Sequence, residues 1–169
     1  MRKLVATAID HLCHAFERGG YHPTPIIDLG VLVVIADGVV DERERVVLCD
    51  VFQTLLGTQL SPEVVDHLVT ASMEVARAAG PESRARLISE ILVDCDAVEP
   101  GLLVALVVAY ASDGLSHEER VVIERIADGA GLPRARLDEL IARVRERADA
   151  EGSDPVSVRN VLSSREGSS

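Results

Sequence analysis

Two stretches of the chain repeat one order of features: an apolar run, an Asp-Gly pair, a short loop and an acidic helix start that leads into Glu-Arg-Val-Val. The first copy is centred on Asp37-Gly38 and the second on Asp113-Gly114. The second loop is one residue shorter, because its Glu-Arg-Val-Val string begins one position closer to the Asp-Gly pair. This duplication predicts two related helix–Asp-Gly–helix units in one pseudo-two-fold bundle.

The apolar runs that precede the Asp-Gly pairs indicate the class of the fold. Ile26–Ala36 and Leu102–Ala111 are apolar nearly all round, which is typical of helices at the centre of a domain. Each run is about half the roughly 20 residues that span a bilayer, so we interpret both as buried helices and expect no membrane insertion. Because no β-like alternation stands out, the sequence predicts an all-α fold.

Apolar periodicity and helix-boundary residues predict seven to eight helices in a single domain over 1–150. Ser61-Pro62-Glu63 is a helix start signal, and Gly80 is the matching stop. Val64 and Leu87 are assigned to the buried faces of their helices. The predicted ranges are about 3–18, 25–36, 42–56, 61–80, 82–95, 100–112, 116–131 and 133–149. Residues 151–169 are rich in Ser, Gly and charge, which predicts a disordered tail.

Charge and composition exclude several kinds of partner. The net charge is −11, the opposite of what a phosphate backbone attracts, and aromatic residues make up only 2% of the chain, too few for base stacking. We therefore expect no nucleic-acid partner and regard cations or basic protein surfaces as the natural complement. Three well-separated cysteines indicate reduced, buried thiols in a cytoplasmic protein.

The acidic residues that follow each Asp-Gly pair fit helix capping. Asp41 with Glu44, and Ser116 with Glu119, have the spacing of a capping box, in which two side chains satisfy free backbone amides reciprocally. This structural interpretation explains all four residues without a ligand.

Asp37 and Asp113 are harder to explain, because each lies at the C-terminal end of an apolar helix, where the helix dipole disfavours a carboxylate. Each could form an Asx turn, with the following glycine at positive φ. Alternatively, Asp37 could join Asp41, Glu44 and loop carbonyls as oxygen ligands for Ca²⁺ or Mg²⁺. The spacing of an EF-hand is absent. The string Ile126–Gly129 repeats Ile35–Gly38 letter for letter, but it falls at a helix end, so we interpret Asp128 as solvated.

Catalytic motifs are not evident. His11 and His14 could share a helix face, but no second ligand pair follows at a spacing that would complete a zinc site, and we interpret both as surface or packing residues. No Gly-x-Ser-x-Gly elbow or glycine-rich phosphate loop occurs. We therefore expect a protein that is not an enzyme.

Ile35–Gly38 followed by Glu44, and Ala111–Gly114 followed by Glu118–Arg120, resemble the TerB family of tellurite-resistance proteins over about residues 25–140. The N-terminal domain of the membrane-anchored J-domain cochaperone DjlA is similar. The resemblance implies a non-enzymatic protein of a bacterial tellurite-resistance and stress-response system, with a protein partner in a membrane-associated stress complex. It also implies a divalent cation, Ca²⁺, Mn²⁺ or Mg²⁺, held by an acidic cluster near the Asp-Gly turns. By position, those ligands are Asp37, Asp41, Glu44, Asp113 and Glu119.

The chain departs from a symmetric two-copy site in its shorter second loop and in Ser116, which stands where the first copy has Asp41. An alternative function is therefore a metal-free acidic helical module for protein–protein interaction. In that case either the acidic surface or the apolar face Leu137–Val144 of the last helix would bind the partner.

Overall fold

The computed structural model describes residues 2–21, 24–38, 40, 45–46, 48–50, 52–53, 60–111 and 114–150. These residues form helices and no strand, which confirms the all-α prediction. The α-helices with defined bounds are α1 (Arg2–Gly19), α2 (Thr24–Val34), α3 (Pro62–Ala79), α4 (Pro81–Asp94), α5 (Val98–Ala111), α6 (His117–Gly129) and α7 (Arg134–Ala150). A 3₁₀ helix, Ile35–Asp37, continues α2. The described residues between 45 and 53, here called segment 45–53, are also helical.

The predicted helix boundaries agree closely with the observed ones. The helix expected over 25–36 ends as the 3₁₀ turn, and α5 begins at Val98, before its predicted start at Pro100. Proline fits there because the first amides of a helix have no intrahelical partner. The predicted helix over 42–56 lies partly outside the described residues, and the predicted tail at 151–169 lies wholly outside them.

Helices α2 and α5 form the centre of the bundle, as their apolar sequences predict. They pack against each other; α2 also contacts α3, α4 and α6, and α5 also contacts α1, α4, α6 and α7. Every residue from Gly101 to Ala109 is buried, as is every residue from Ile26 to Val34 except Asp28. All-round apolarity therefore corresponds to contact with neighbours on every side.

The core contains few aromatic rings, and segment 45–53 contributes one of them. Phe16 and Phe52 are both fully buried among aliphatic side chains. The Phe52 ring lies so close to Gly30 of α2 that a Cβ atom at that position would overlap it. Gly30 therefore allows segment 45–53 to pack directly on the backbone of the central helix.

Two of the side chains predicted to be buried are exposed. Val64 and Leu87 are 43% and 42% exposed, because the buried faces of α3 and α4 are each displaced from these positions around the helix. On α3 the buried face consists of Val65, Val69, Ser72, Met73 and Ala76. The prediction of buried thiols is also only partly right, because Cys95 is buried whereas Cys13 and Cys49 are half-buried.

A partly buried charged group joins three helices. Asp28 of α2 forms an ion pair with Arg84 of α4 through its Oδ2 atom, and the Ser72 hydroxyl of α3 donates to Oδ1 at 2.5 Å. The Asp28 and Arg84 side chains are only 16% and 17% exposed. The one acidic residue of α2 is thus matched by a cation and a hydroxyl, which a buried charge requires.

Arginines also attach α7 to the helices it packs on. Arg136 donates to both carboxylate oxygens of Glu99 in α5, at 2.7 and 2.8 Å. Glu124 of α6 accepts a hydrogen bond from Arg134 of α7 at 2.5 Å and another from Arg120 of its own helix at 2.7 Å. The hydrogen bond from Arg136 lowers the pKa of Glu99, and the hydrogen bond from Arg120 lowers the pKa of Glu124.

These lowered pKa values predict a loss of stability in acid. Because Glu99 and Glu124 have lower pKa values in the folded chain than the ordinary 4.5, the unfolded chain binds more protons as the pH falls through that range. Their contribution to stability is therefore fully present above the unfolded pKa and is lost as the pH falls through the folded pKa. We expect Glu124→Gln to lower the free energy of unfolding by about 1 kcal/mol at pH 7, and by less at pH 3.

Urea unfolding at each pH, followed by circular dichroism, measures this difference. Glu90→Gln is the matched control, since the Arg86–Glu90 pair is exposed and should contribute little at either pH. An equal loss in the Glu124→Gln variant at both pH values would contradict the prediction.

Candidate functional site

The first Asp-Gly pair forms a tight turn at the end of the central helix. Asp37 is exposed and ends the 3₁₀ helix, and the Gly38 amide donates to the Ile35 carbonyl at 2.9 Å. Gly38 has a φ of 97°, in the left-handed region that favours glycine. The turn therefore places the exposed Asp37 at the end of the 3₁₀ helix that continues the buried helix α2.

The glycine of the second Asp-Gly pair has the same backbone conformation as the glycine of the first. Gly114 has a φ of 98°, nearly identical to that of Gly38. Gly129, in contrast, is the last residue of α6 and lies outside the positive-φ region, and the preceding Asp128 is exposed. The repeated letters Ile-Ala-Asp-Gly thus occur in two different backbone contexts, which confirms Asp128 as a solvated helix-end residue.

Ser116 and Glu119 form the predicted capping box at the start of α6. The Ser116 hydroxyl accepts a hydrogen bond from the Glu119 amide at 3.1 Å, and Glu119 Oε2 accepts one from the Ser116 amide at 2.8 Å. Glu119 is only 8% exposed, so its carboxylate is placed in a region of low water content. Among the described residues it is the most deeply buried acid.

Packing brings the elements that carry Asp37 and Glu119 into contact. The 3₁₀ helix that ends at Asp37 packs against α6, whose first turn holds Glu119. One acid comes from each copy of the repeated unit, so elements of the two copies meet at this point. The other predicted ligands, Asp41, Glu44 and Asp113, lie outside the described residues. The distance between the Asp37 and Asp113 carboxylates is therefore not described either.

The donor atoms suit a hard cation, although the described part of the site is incomplete. Asp37 and Glu119 supply carboxylate oxygens, which Ca²⁺, Mg²⁺ and Mn²⁺ accept, and neither is a soft sulfur or nitrogen donor. Within the described ranges, no group of three or more His, Cys, Asp or Glu residues could hold a metal ion. The donor atoms of Asp37 and Glu119 are therefore of the kind that these cations bind. Two carboxylates do not fill the coordination shell of such a cation, so further ligands would be needed to complete the site.

Other candidate residues do not form a reactive site. His11 and His14 are exposed, and His14 Nδ1 lies 2.7 Å from the Asp10 carbonyl, which agrees with surface histidines. Burial raises the pKa of the Cys49 thiol, and the nearby Asp66 carboxylate raises it further. Since the thiolate is the nucleophilic form, this environment makes Cys49 less reactive than an ordinary cysteine.

Sequence reasoning did not anticipate the role of the arginine in each Glu-Arg-Val-Val string. Arg45 pairs with Asp66 of the next helix, α3, at 2.6 Å, and Arg120 pairs with Asp138 of the next helix, α7, at 3.1 Å. The sequence repeat could have indicated this role, because an arginine at the same position of both copies suggests that both form the same kind of ion pair with the following helix. Pseudo-two-fold symmetry of the whole bundle remains a prediction.

The described residues form an all-helical fold in which the central helix α2 leads into an Asp-Gly turn. Residues 24–145 match the family described as tellurite resistance protein TerB, and the chain belongs to that family. No curated protein and no solved structure matches the chain significantly. In the described parts of the chain, no helix combines the length and apolarity needed to cross a bilayer.

Proposed function

We propose that this TerB-family chain is a non-enzymatic cytoplasmic protein of a bacterial tellurite-resistance and stress-response system, and that it binds a divalent cation at its Asp-Gly turns. The ligands are the carboxylates of Asp37, Asp41, Glu44, Asp113 and Glu119. Its partner is a protein of a membrane-associated stress complex, and the cation, Ca²⁺, Mn²⁺ or Mg²⁺, orders the acidic turns at which that partner binds.

One observation carries the metal proposal: the 3₁₀ helix that ends at Asp37 packs against the helix that begins beside Glu119. Carboxylates from two chain segments distant in sequence can then contribute to one site. A net charge of −11 favours cation binding further, because the surrounding field attracts positive ions.

Calorimetric titration with Ca²⁺, Mn²⁺ and Mg²⁺ tests the proposal. We expect Asp37→Ala to weaken binding by at least about tenfold, because a ligand carboxylate supplies both coordination and charge. Asp128→Ala is the matched control, since Asp128 occupies the same four-letter string but is an exposed residue near the end of α6. It should bind as the wild type does.

Absence of binding heat in the wild-type protein with all three cations would overturn the metal proposal. An equal loss of affinity in the Asp37→Ala and Asp128→Ala variants would overturn the assignment of the site, since it would reduce the effect to net charge.

A second candidate function, a metal-free acidic module for protein–protein interaction, is favoured by the capping box, which accounts for the Glu119 carboxylate without a cation. One version of it is wrong: Leu137, Leu140, Ile141 and Val144 are buried in the core, so the apolar face of α7 cannot bind a partner. The acidic surface is then the binding surface for the partner in this second candidate function. This function predicts binding of a basic peptide that weakens with salt and is unchanged by Asp37→Ala.

A further inference from the structure

Helix α3 has a second apolar stripe, on the face adjacent to the one it buries. The stripe consists of Val64, Leu68, Ala71, Val75 and Ala78. Val64 and Val75 are each 43% exposed, Ala71 and Ala78 are exposed, and Leu68 is half-buried. Single exposed hydrophobic side chains are normal on a protein surface, but a continuous row of them is typical of an interaction surface.

The spacing of the stripe is that of a coiled-coil seam. Its residues alternate between separations of four and three positions, which gives the 3.5-residue period of a helix that packs lengthwise on another helix. Arg45 and Cys49 of segment 45–53 contact α3 through Asp66 and Thr70, which lie on a different face from the stripe. Four of the five stripe residues are thus exposed in the described structure, while Leu68 packs partly against the core, and their spacing is that of a helix-packing seam.

We propose that this stripe is a dimer interface, in which α3 packs antiparallel against α3 of a second copy of the chain. In one register, Val64 of each copy meets Val75 of the other, and Leu68 meets Ala71. This register is self-complementary, as a two-fold interface requires, and it sets a large side chain against a small one at the centre. The four resulting layers use the stripe from Val64 to Val75.

The charges beside the stripe match the same register. Glu63 of one copy lies beside Arg77 of the other, and His67 lies beside Glu74. Each of these contacts brings an acid next to a basic side chain, twice by symmetry. Within the described residues, Glu74 and Arg77 are exposed and form no ion pair in the single chain, so both remain available to a second copy. In a parallel arrangement the charged flanks of the two copies would lie on opposite sides of the seam, and these acids and bases could not pair.

The size of the seam predicts a weak dimer. One pair of helices with four layers buries less than the roughly 1,200 Å² typical of stable complexes. We therefore expect a dissociation constant of about 100 μM, with monomer dominant in dilute solution.

Sedimentation equilibrium from low micromolar to millimolar concentration tests the proposal. The wild-type protein should dimerise over this range, and Val75→Glu should raise the dissociation constant at least about tenfold by burying a charge in the seam. Val121→Glu is the matched control, because Val121 is a 39% exposed valine on α6 and lies outside the stripe. Circular dichroism verifies that each variant is folded, and Ala71→Lys, at an exposed position, replaces Val75→Glu should that variant unfold.

A wild-type protein that stays monomeric at millimolar concentration overturns the proposal. So does a dimer that Val75→Glu and Ala71→Lys leave intact, or one that Val121→Glu weakens equally. The orientation has its own test: Arg77→Glu should weaken the dimer about fivefold, and adding Glu63→Arg should restore it. Failure of the double variant to recover contradicts the antiparallel register.

Discussion

Replacing Asp28 by alanine is expected to lower the free energy of unfolding by about 2–3 kcal/mol. The Arg84 side chain, only 17% exposed, would then lose its carboxylate partner, and the Ser72 hydroxyl would lose its acceptor. A partly buried cation without a counter-charge is costly because surrounding water can solvate it only in part. The loss should exceed that from any exposed ion pair of the chain, such as Arg86–Glu90.

Urea unfolding of the wild type, Asp28→Ala and Glu90→Ala measures both effects, and Glu90→Ala should change stability little. A double variant, Asp28→Leu with Arg84→Met, removes both charges at once. Its stability therefore shows how much of the loss in Asp28→Ala comes from leaving the Arg84 charge without a partner. Because an apolar replacement of similar volume removes both desolvation penalties, we expect it to recover most of the lost stability. A double variant as unstable as Asp28→Ala would show that the pair stabilises the fold by itself.

Phe52→Ala is expected to have the largest effect, a loss of about 3–5 kcal/mol, because it empties a fully buried site between segment 45–53 and α2. The close approach of this ring to Gly30 gives a sharper result. Gly30→Ala should destabilise the wild type, since the new methyl group overlaps the ring. In the Phe52→Ala background the same methyl group should be neutral or stabilising, because it enters the vacated space.

A double-mutant cycle by thermal or urea unfolding measures this change of sign. Gly30→Ala in a Leu137→Ala background is the control, because Leu137 lies on α7, which is not in appreciable contact with α2 among the described helices. There the effect of Gly30→Ala should match its effect in the wild type. Additive effects of Gly30→Ala and Phe52→Ala would contradict the packing of segment 45–53 on α2.

The sequence predicted most of the helices because their signals are local. Ser61-Pro62-Glu63 starts α3, and the all-round apolarity of α2 and α5 correctly placed both at the centre. The exposure of Val64 was not predictable from α3 alone. Two adjacent apolar stripes are present on that helix, and the neighbours α2 and α4 decide which one is buried.

The same distinction applies to the candidate site. The capping box of Ser116 and Glu119 follows from the spacing of two residues in one helix turn, and it was predicted correctly. The contact between the 3₁₀ helix and α6 joins residues far apart in the chain, so no local pattern could reveal it. The partners of Asp28 and Arg45 belong to this second class, since each lies on a different helix.

The central position of α5 has a consequence for the order in which the protein can fold. The N-terminal helix α1 packs on α5, although most of the chain that precedes α5 lies between them. During synthesis, the buried face of α1 must therefore wait for the ribosome to release α5. Long-range closure of this kind slows folding relative to a bundle of sequential hairpins. A nascent chain truncated before Val98 should accordingly expose apolar surface and depend on chaperones, whereas one that extends through Ala111 can begin to form its core.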